Sequence, residues 1–232
     1  MIYTINVPGL AAVAIIILIV ILFIVITLNK RKAVLKEFCK KNGFNYVGGS
    51  SYDLPEIESE YLNIPPQQHN RKFSDLVTGT IDGKAFRLFK FFSQTPRRVG
   101  VGSSAGEAIL EVEHSFSCPS FFIYRTLLKQ HYDYLMPHGY VRLPIEGDFN
   151  KYLDIFIPAD SQVEVLAFLT PDKLQVFLDC INRHTGISDY GQHVNGFEFT
   201  LHKFYIYRFV FDKQEHLQES LHTAGLLLTS FK

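Results

Sequence analysis

No charged residue occurs before position 30, and the three cysteines, Cys39, Cys118 and Cys180, include no close-spaced pair. An odd, scattered set of thiols argues against a disulfide framework. No Gly-Lys-Ser/Thr phosphate motif and no Gly-x-Ser-x-Gly elbow is present, so the chain lacks the usual marks of P-loop and hydrolase chemistry. Net charge is also absent, with 23 bases balancing 23 acids. The balance is not local, however. Residues 30–41 hold six of the bases and one acid, leaving that stretch at about +5 and the rest of the chain at about −5. A soluble part of negative charge has no reason to seek a polyanion, which disfavours nucleic acid as a partner.

The uncharged start contains the run Leu10 to Leu28. A helix rising about 1.5 Å per residue over it covers about 28 Å, close to the hydrocarbon thickness of a bilayer. No base precedes the run and no small-residue cleavage site follows it, so it is expected to be an uncleaved anchor and not a signal peptide. Its interior of Ile, Val and Leu offers no small-xxx-small seam for helix pairing. The positive-inside rule places the amino terminus outside and the carboxy-terminal domain in the cytoplasm, at the plasma membrane. Lys30, Arg31, Lys32, Lys36, Lys40 and Lys41 are the expected contacts with anionic lipid at the membrane surface. Three segments follow: 1–29 tail and transmembrane anchor, 30–43 basic juxtamembrane helix, 44–232 cytoplasmic domain. The middle one, with Val34, Leu35 and Phe38 on one side and Asn42-Gly43 as its stop, reads equally as a lipid-surface helix or as the stalk that begins the domain.

The third segment reads as α+β, a mainly antiparallel sheet with helices packed on it. Asp82-Gly83 between 75–81 and 84–92 predicts a type I′ hairpin. Alternation continues over 107–117, and strands are expected at 121–124, 140–143 and 151–157. Residues 48–72, rich in Gly, Ser and Pro, read as a surface loop. Ser161 and Glu164 form a capping-box pattern ahead of a helix over 161–169, with Val163, Leu166 and Ala167 as its apolar stripe. Thr170-Pro171-Asp172 starts a second helix, whose Leu174, Phe177, Leu178 and Ile181 recur at helical spacing to about 183. Asn195-Gly196 predicts a tight turn before a strand with Phe197, Phe199 and Leu201 on a buried face and Glu198, Thr200 and His202 opposite. Residues 204–211 are apolar on both faces, as a central strand would be. Asp212 and Glu215 fit a cap for a final helix over 213–229, with Leu217, Leu221, Ala224 and Leu228 inward. Gly83, Phe86, Leu88, Lys90 and Phe91 echo Gly196, Phe199, Leu201, Lys203 and Phe204 at an offset of 113, the trace a duplicated sheet unit would leave.

Convergent chemistry is scarce. Cys180 and His184 could share a helix face, but zinc wants a second pair. Glu111 and Glu113 lie on one strand face with His114 opposite, which reads as a solvated strand. His131, Asp133 and His138 flank an irregular segment without a motif to join them. Cys118 and the serines Ser103 and Ser104 lack a base. Arg97 and Arg98, beside a glycine-rich stretch that leads into a strand, are candidate anion contacts and not a phosphate loop. No catalytic, metal-ligating or cofactor-binding residue is therefore assigned, and no cofactor is expected.

The segments "DLVTGTIDGKAFRLFKF", "DFNKYLDIFIPADSQVEVLAFLTPDKLQVFLDCI" and "VNGFEFTLHKFYIYRFVF", in that order behind an apolar amino-terminal helix, resemble a family of uncharacterised bacterial membrane proteins. The resemblance covers residues 75–92 and 148–211 and consists of fold-specifying residues. It implies a membrane anchor, a cytoplasmic domain and no assigned activity. The commoner relatives carry two spans where this chain shows one. The expected role is a membrane-anchored cytoplasmic binding or scaffolding module, more a non-enzyme than an enzyme. Its expected partners are anionic bilayer lipid and another membrane or cytoplasmic protein. The competing readings are an enzyme acting on a lipid or lipid-linked substrate, and a lipid sensor read through the basic stalk.

Overall fold

The apolar run and the basic stretch after it form one helix, α1 (Val7–Asn42), unbroken at the point where charge begins. In the computed structural model, residues 7–51, 57–63, 72–92, 107–125, 137–182, 194–208 and 214–231 are described. The upper part of α1 is long and apolar enough to cross a membrane, and its side chains from Val13 to Ile26 are exposed. The lower part behaves differently. Leu35, Phe38 and Cys39 are buried in the domain core, while Lys32, Lys36, Lys40 and Lys41 stay on the outside of the helix. The 30–43 stretch is thus the stalk that begins the domain, ending at Gly43 with φ of 71°.

Nine strands form one sheet: β1 (Asn45–Ser51), β2 (Lys72–Ile81), β3 (Lys84–Phe92), β4 (Glu107–Glu113), β5 (Phe121–Arg125), β6 (Tyr140–Leu143), β7 (Leu153–Pro158), β8 (Val194–Phe199) and β9 (Lys203–Arg208). Their spatial order is β1-β2-β3-β4-β9-β8-β5-β7-β6, and every neighbouring pair is antiparallel. The fold is α+β, as the sequence predicts. Asp82 and Gly83 both have positive φ, 50° and 77°, which is what a type I′ turn requires and what Asp-Gly tolerates.

One face of the sheet carries the helices α3 (Gln162–Phe168), α4 (Pro171–Asn182) and α5 (Gln214–Ser230), together with the end of α1. In α4, Leu174, Phe177, Cys180 and Ile181 are buried at three- and four-residue spacing, and the Leu174 amide closes the first turn on Thr170 O at 3.0 Å. A cross-strand row of Phe86, Val112, Phe204, Phe199 and Phe121 receives them. Phe199 stacks on Phe121 at 4.8 Å and meets Phe177 edge-on at 5.6 Å. α3 departs from expectation. Val165 is its buried residue, whereas Val163 is 80% exposed and Leu166 is also exposed. Ser161 makes no side-chain cap and its hydroxyl instead meets Asp160 at 3.3 Å. A helix of seven residues docks through one contact point, so the periodicity that marks longer helices does not apply.

Three further expectations are corrected. Residues 48–51 belong to edge strand β1, and α2 (Glu60–Asn63) interrupts the expected 48–72 loop. Asn195 and Gly196 are not a turn; they lie inside β8, where the register with β9 shifts between Val194 and Gly196. The chain reverses instead between Thr200 and Lys203, closed by Thr200 N to Lys203 O at 2.8 Å, and this leaves Leu201 62% exposed. The 113-residue echo also fails as a repeat. Gly83 to Phe91 is a turn followed by one strand, whereas Gly196 to Phe204 spans β8, the turn and the start of β9. Gly196 is needed for close approach: a Cβ there would run into the Tyr124 ring and lie 2.8 Å from the Ile123 carbonyl oxygen. Gly196→Ala is therefore expected to cost about 2–3 kcal/mol, because one neighbour is backbone and cannot swing aside. A lower urea midpoint with unchanged slope is the check.

Candidate functional site on the second face of the sheet

Facing away from the helices is a rung that crosses all nine strands: Asn45, Thr78, Arg87, Glu111, Tyr205, Glu198, Phe122, Phe156 and Arg142. Its ends are polar and partly exposed, but Glu111, Tyr205, Glu198 and Phe122 at the centre are 2% exposed or less. This second face has its own apolar cluster, including Phe73, Phe89, Ile109, Tyr124 and Tyr207. Residues 57–63, including α2, form a strap packed on that cluster. Ser59 and Leu62 are fully buried, and Tyr61 meets Tyr207 edge-on at 5.1 Å.

The strap is held around the Glu198 carboxylate. Ser59 Oγ donates to Oε2 at 2.7 Å, the Glu60 amide donates to Oε1 at 2.5 Å, and the Tyr207 hydroxyl donates to Oε2. Ser59 Oγ also accepts from the Leu62 amide at 2.9 Å and lies 3.0 Å from the Tyr207 hydroxyl. Burial pushes the Glu198 carboxyl up to about 7, although each of these donors pulls the other way. Burial and the neighbouring Glu198 and Glu111 carboxylates push the Tyr205 phenol up, and burial with Glu198 does the same at Tyr207.

Along the same rung lies an ion network. Arg87 grips Glu111 with two bonds, Nε to Oε1 at 2.7 Å and Nη2 to Oε2 at 2.6 Å. Lys203 Nζ adds contacts to Glu111 at 3.4 Å and to Glu58 of the strap at 3.8 Å. Burial disfavours the Arg87 cation, yet the Glu111 carboxylate more than offsets this and its pKa moves up. Arg87, Glu111, Glu113 and Lys203, with Thr78 and Thr80, line an open depression of about 510 Å³ at this corner of the sheet. Arg87, Glu111 and Lys203 there are paired with one another.

Among the described residues, those singled out from sequence are not gathered into one site. Glu111 is buried and ion-paired, not part of a solvated face, because the Arg87 strand lies beside it. Glu113 is on its face and His114 on the other, where His114 stacks on Phe116 at 4.0 Å with its ring nitrogens 3.1 Å from Phe116 O and Thr200 O. Burial moves the His114 pKa down. Cys118 and Cys180 are buried and in no disulfide, and burial raises the Cys118 pKa to about 12, far from a reactive thiolate. His138 is exposed before β6, five strand spacings from β4, roughly 24 Å from Glu111. Arg97, Arg98, Ser103, Ser104, His131, Asp133, His184 and Asp212 lie outside the described residues. Among the described residues no group of three His, Cys, Asp or Glu could hold a metal.

Sequence reasoning missed Glu198 and Thr200, which it placed toward solvent; they are 1% and 6% exposed. The available signal was β9. A strand apolar on both faces implies a sheet covered on both sides, so its hairpin partner must be covered too.

Among the described residues, these features define a nine-stranded antiparallel α+β domain behind an apolar helix, with helices on one face and the 57–63 strap on the other. No family model and no curated protein matches the chain. Its fold is similar to the crystal structure of the mycobacterial trehalose monomycolate transport factor A, TtfA, with a TM-score of 0.56, 13% sequence identity and coverage of 86% of this chain and 93% of that one. At that identity the likeness concerns the fold.

Proposed function

We propose that this chain is a non-catalytic binding or scaffolding module held at the inner face of the plasma membrane, with its amino terminus outside and its domain in the cytoplasm. The observation that carries the reading is α1: the helix that would cross the bilayer is the same helix whose Leu35, Phe38 and Cys39 are part of the domain core. A domain joined this way is presented to the membrane at a set distance and orientation, which suits capture of a membrane-borne partner. The mutual pairing of Arg87, Glu111 and Lys203 at the corner of the second face supports binding over catalysis. The similarity to a protein titled a transport factor for trehalose monomycolate supports a role alongside lipid.

Geometry divides the basic residues. Lys30, Arg31 and Lys32 lie within about 6 Å of Leu28 along the helix, whereas Lys40 and Lys41 lie about 18–20 Å away, beyond the Debye length of about 8 Å. This spacing supports the first three as the proposed headgroup contacts; Lys36 lies 5.9 Å from the Tyr46 ring centroid and faces the domain's own surface. In spheroplasts the full-length protein is expected to remain in the membrane pellet after a carbonate wash and to resist added protease in its domain. Replacing Lys30, Arg31 and Lys32 together by Glu should expose the domain to that protease in a measurable fraction of molecules. A carbonate-soluble full-length protein, or a wild-type domain digested in intact spheroplasts, would overturn the reading.

A further inference from the structure

We propose that Glu198 is a proton-sensitive latch, whose neutral form holds the 57–63 strap on the second face of the sheet and whose ionised form lets the strap lift. Nearly every polar contact of the Glu198 carboxylate bridges β8 to the strap or to Tyr207, which itself touches Ser59. The strap thus closes on one carboxyl group that is 1% exposed.

Among the described residues that carboxylate meets no cation, and the groups around it are acidic or phenolic. The strap brings Ser59, the Glu60 carboxylate and Glu58; β9 brings Tyr205 and Tyr207; β5 brings Tyr124 and Phe122; β6 brings Tyr140, whose phenol lies beside Glu60 and is pushed up by burial and then by that carboxylate. The ammonium of Lys203 is engaged by Glu111 and Glu58. A neutral Glu198 keeps the network, since its own hydroxyl can donate to Ser59 or Tyr207, each of which can reverse its role. An ionised one keeps the donors, which offset part of the cost, but holds its charge out of water without a paired cation among the described residues.

The sign follows from the raised value. The closed form titrates near 7, and an open form with Glu198 in water would titrate near its ordinary 4.5. Closure is then strongest below the lower value and is lost as pH rises through the higher one. Lifting the strap would bare Tyr61 and Leu62 together with the aromatic surface they cover. The test is amide hydrogen exchange on the full chain in lipid nanodiscs, comparing Glu60 to Asn63 with core amides of β4 at each pH to remove the intrinsic rate. The protection ratio of the strap should fall by about tenfold per pH unit between about pH 5 and 6.5 and level off above 7. Glu198→Gln should flatten that profile. Should this variant not fold, the pH at which the wild-type profile levels off must still coincide with the midpoint of a carbon-13 titration of the Glu198 carboxyl. A pH-independent strap, an unchanged slope in Glu198→Gln, or a carboxyl midpoint below 5 would overturn the latch.

Discussion

Phe199→Ala is expected to lower the unfolding free energy by about 3–5 kcal/mol, the range for truncating a large aromatic side chain in a closed core. Phe199 is fully buried and sits where β8 meets two packing partners at once. It stacks on Phe121 at 4.8 Å and on Phe204 at 5.3 Å, and meets Phe177 of α4 and Phe231 after α5 edge-on at 5.6 and 5.7 Å. None of these neighbours can close the gap alone. Two are fixed in the sheet ladder, one belongs to α4 and one follows directly on α5, both helices already packed on the sheet, so the cavity persists and its lining loses dispersion contacts. Leu201→Ala is the matched control. It lies two residues on, carries an apolar side chain and is expected to change stability by less than about 0.5 kcal/mol because it stands in water at the turn. Urea unfolding followed by tyrosine near-ultraviolet dichroism reads both. Equal losses for the two variants would mean that β8 does not end at Phe199.

Arg87→Ala should cost about 2–4 kcal/mol, and more than the loss of a surface ion pair, because of what it leaves behind. The Glu111 side chain is 3% exposed and would keep only the contact with Lys203 at 3.4 Å. A buried carboxylate deprived of its bidentate partner carries its desolvation cost without compensation. The partly exposed guanidinium, at 21%, keeps the expected figure below the range for a fully buried pair. The double replacement Arg87→Met, Glu111→Met separates this from simple packing loss. It removes both charges while keeping apolar volume, and should recover most of the stability lost by Arg87→Ala. A double variant as unstable as the single one would show that the network holds the corner of the sheet by geometry and not through charge compensation.

These two effects bear on the proposed role through the second face. The helix-covered face supplies a conventional apolar core, and its loss unfolds the domain. On the other face, polar groups are buried under residues 57–63 of the strap, which is fixed at Glu198 and at Lys203 to Glu58. Polar burial of this kind is costly unless fully paired, so it confines the strap to one seating and leaves that seating sensitive to charge. The region best suited to answer a change in surroundings is thus continuous, through the sheet, with the end of α1.

Local pattern was enough to determine several elements. Nineteen residues without charge specify a helix of membrane length, Asp82-Gly83 specifies the hairpin because its two positive φ angles suit those residues, and Leu174, Phe177 and Ile181 specify the inward side of α4. Each is settled by neighbours within a few positions in the chain. The tertiary structure alone decided that Asn195-Gly196 is a bulge, since Tyr124 and the Ile123 carbonyl from another strand occupy the space above Gly196. It decided too that the basic stalk ends as core, and that Glu111 and Glu198, each the polar half of an alternating strand, are sealed from water. Alternation reports which residues share a side of a strand, not what covers that side. For Glu198 the cover is Ser59, 139 positions away, and a contact at that separation leaves no trace in spacing.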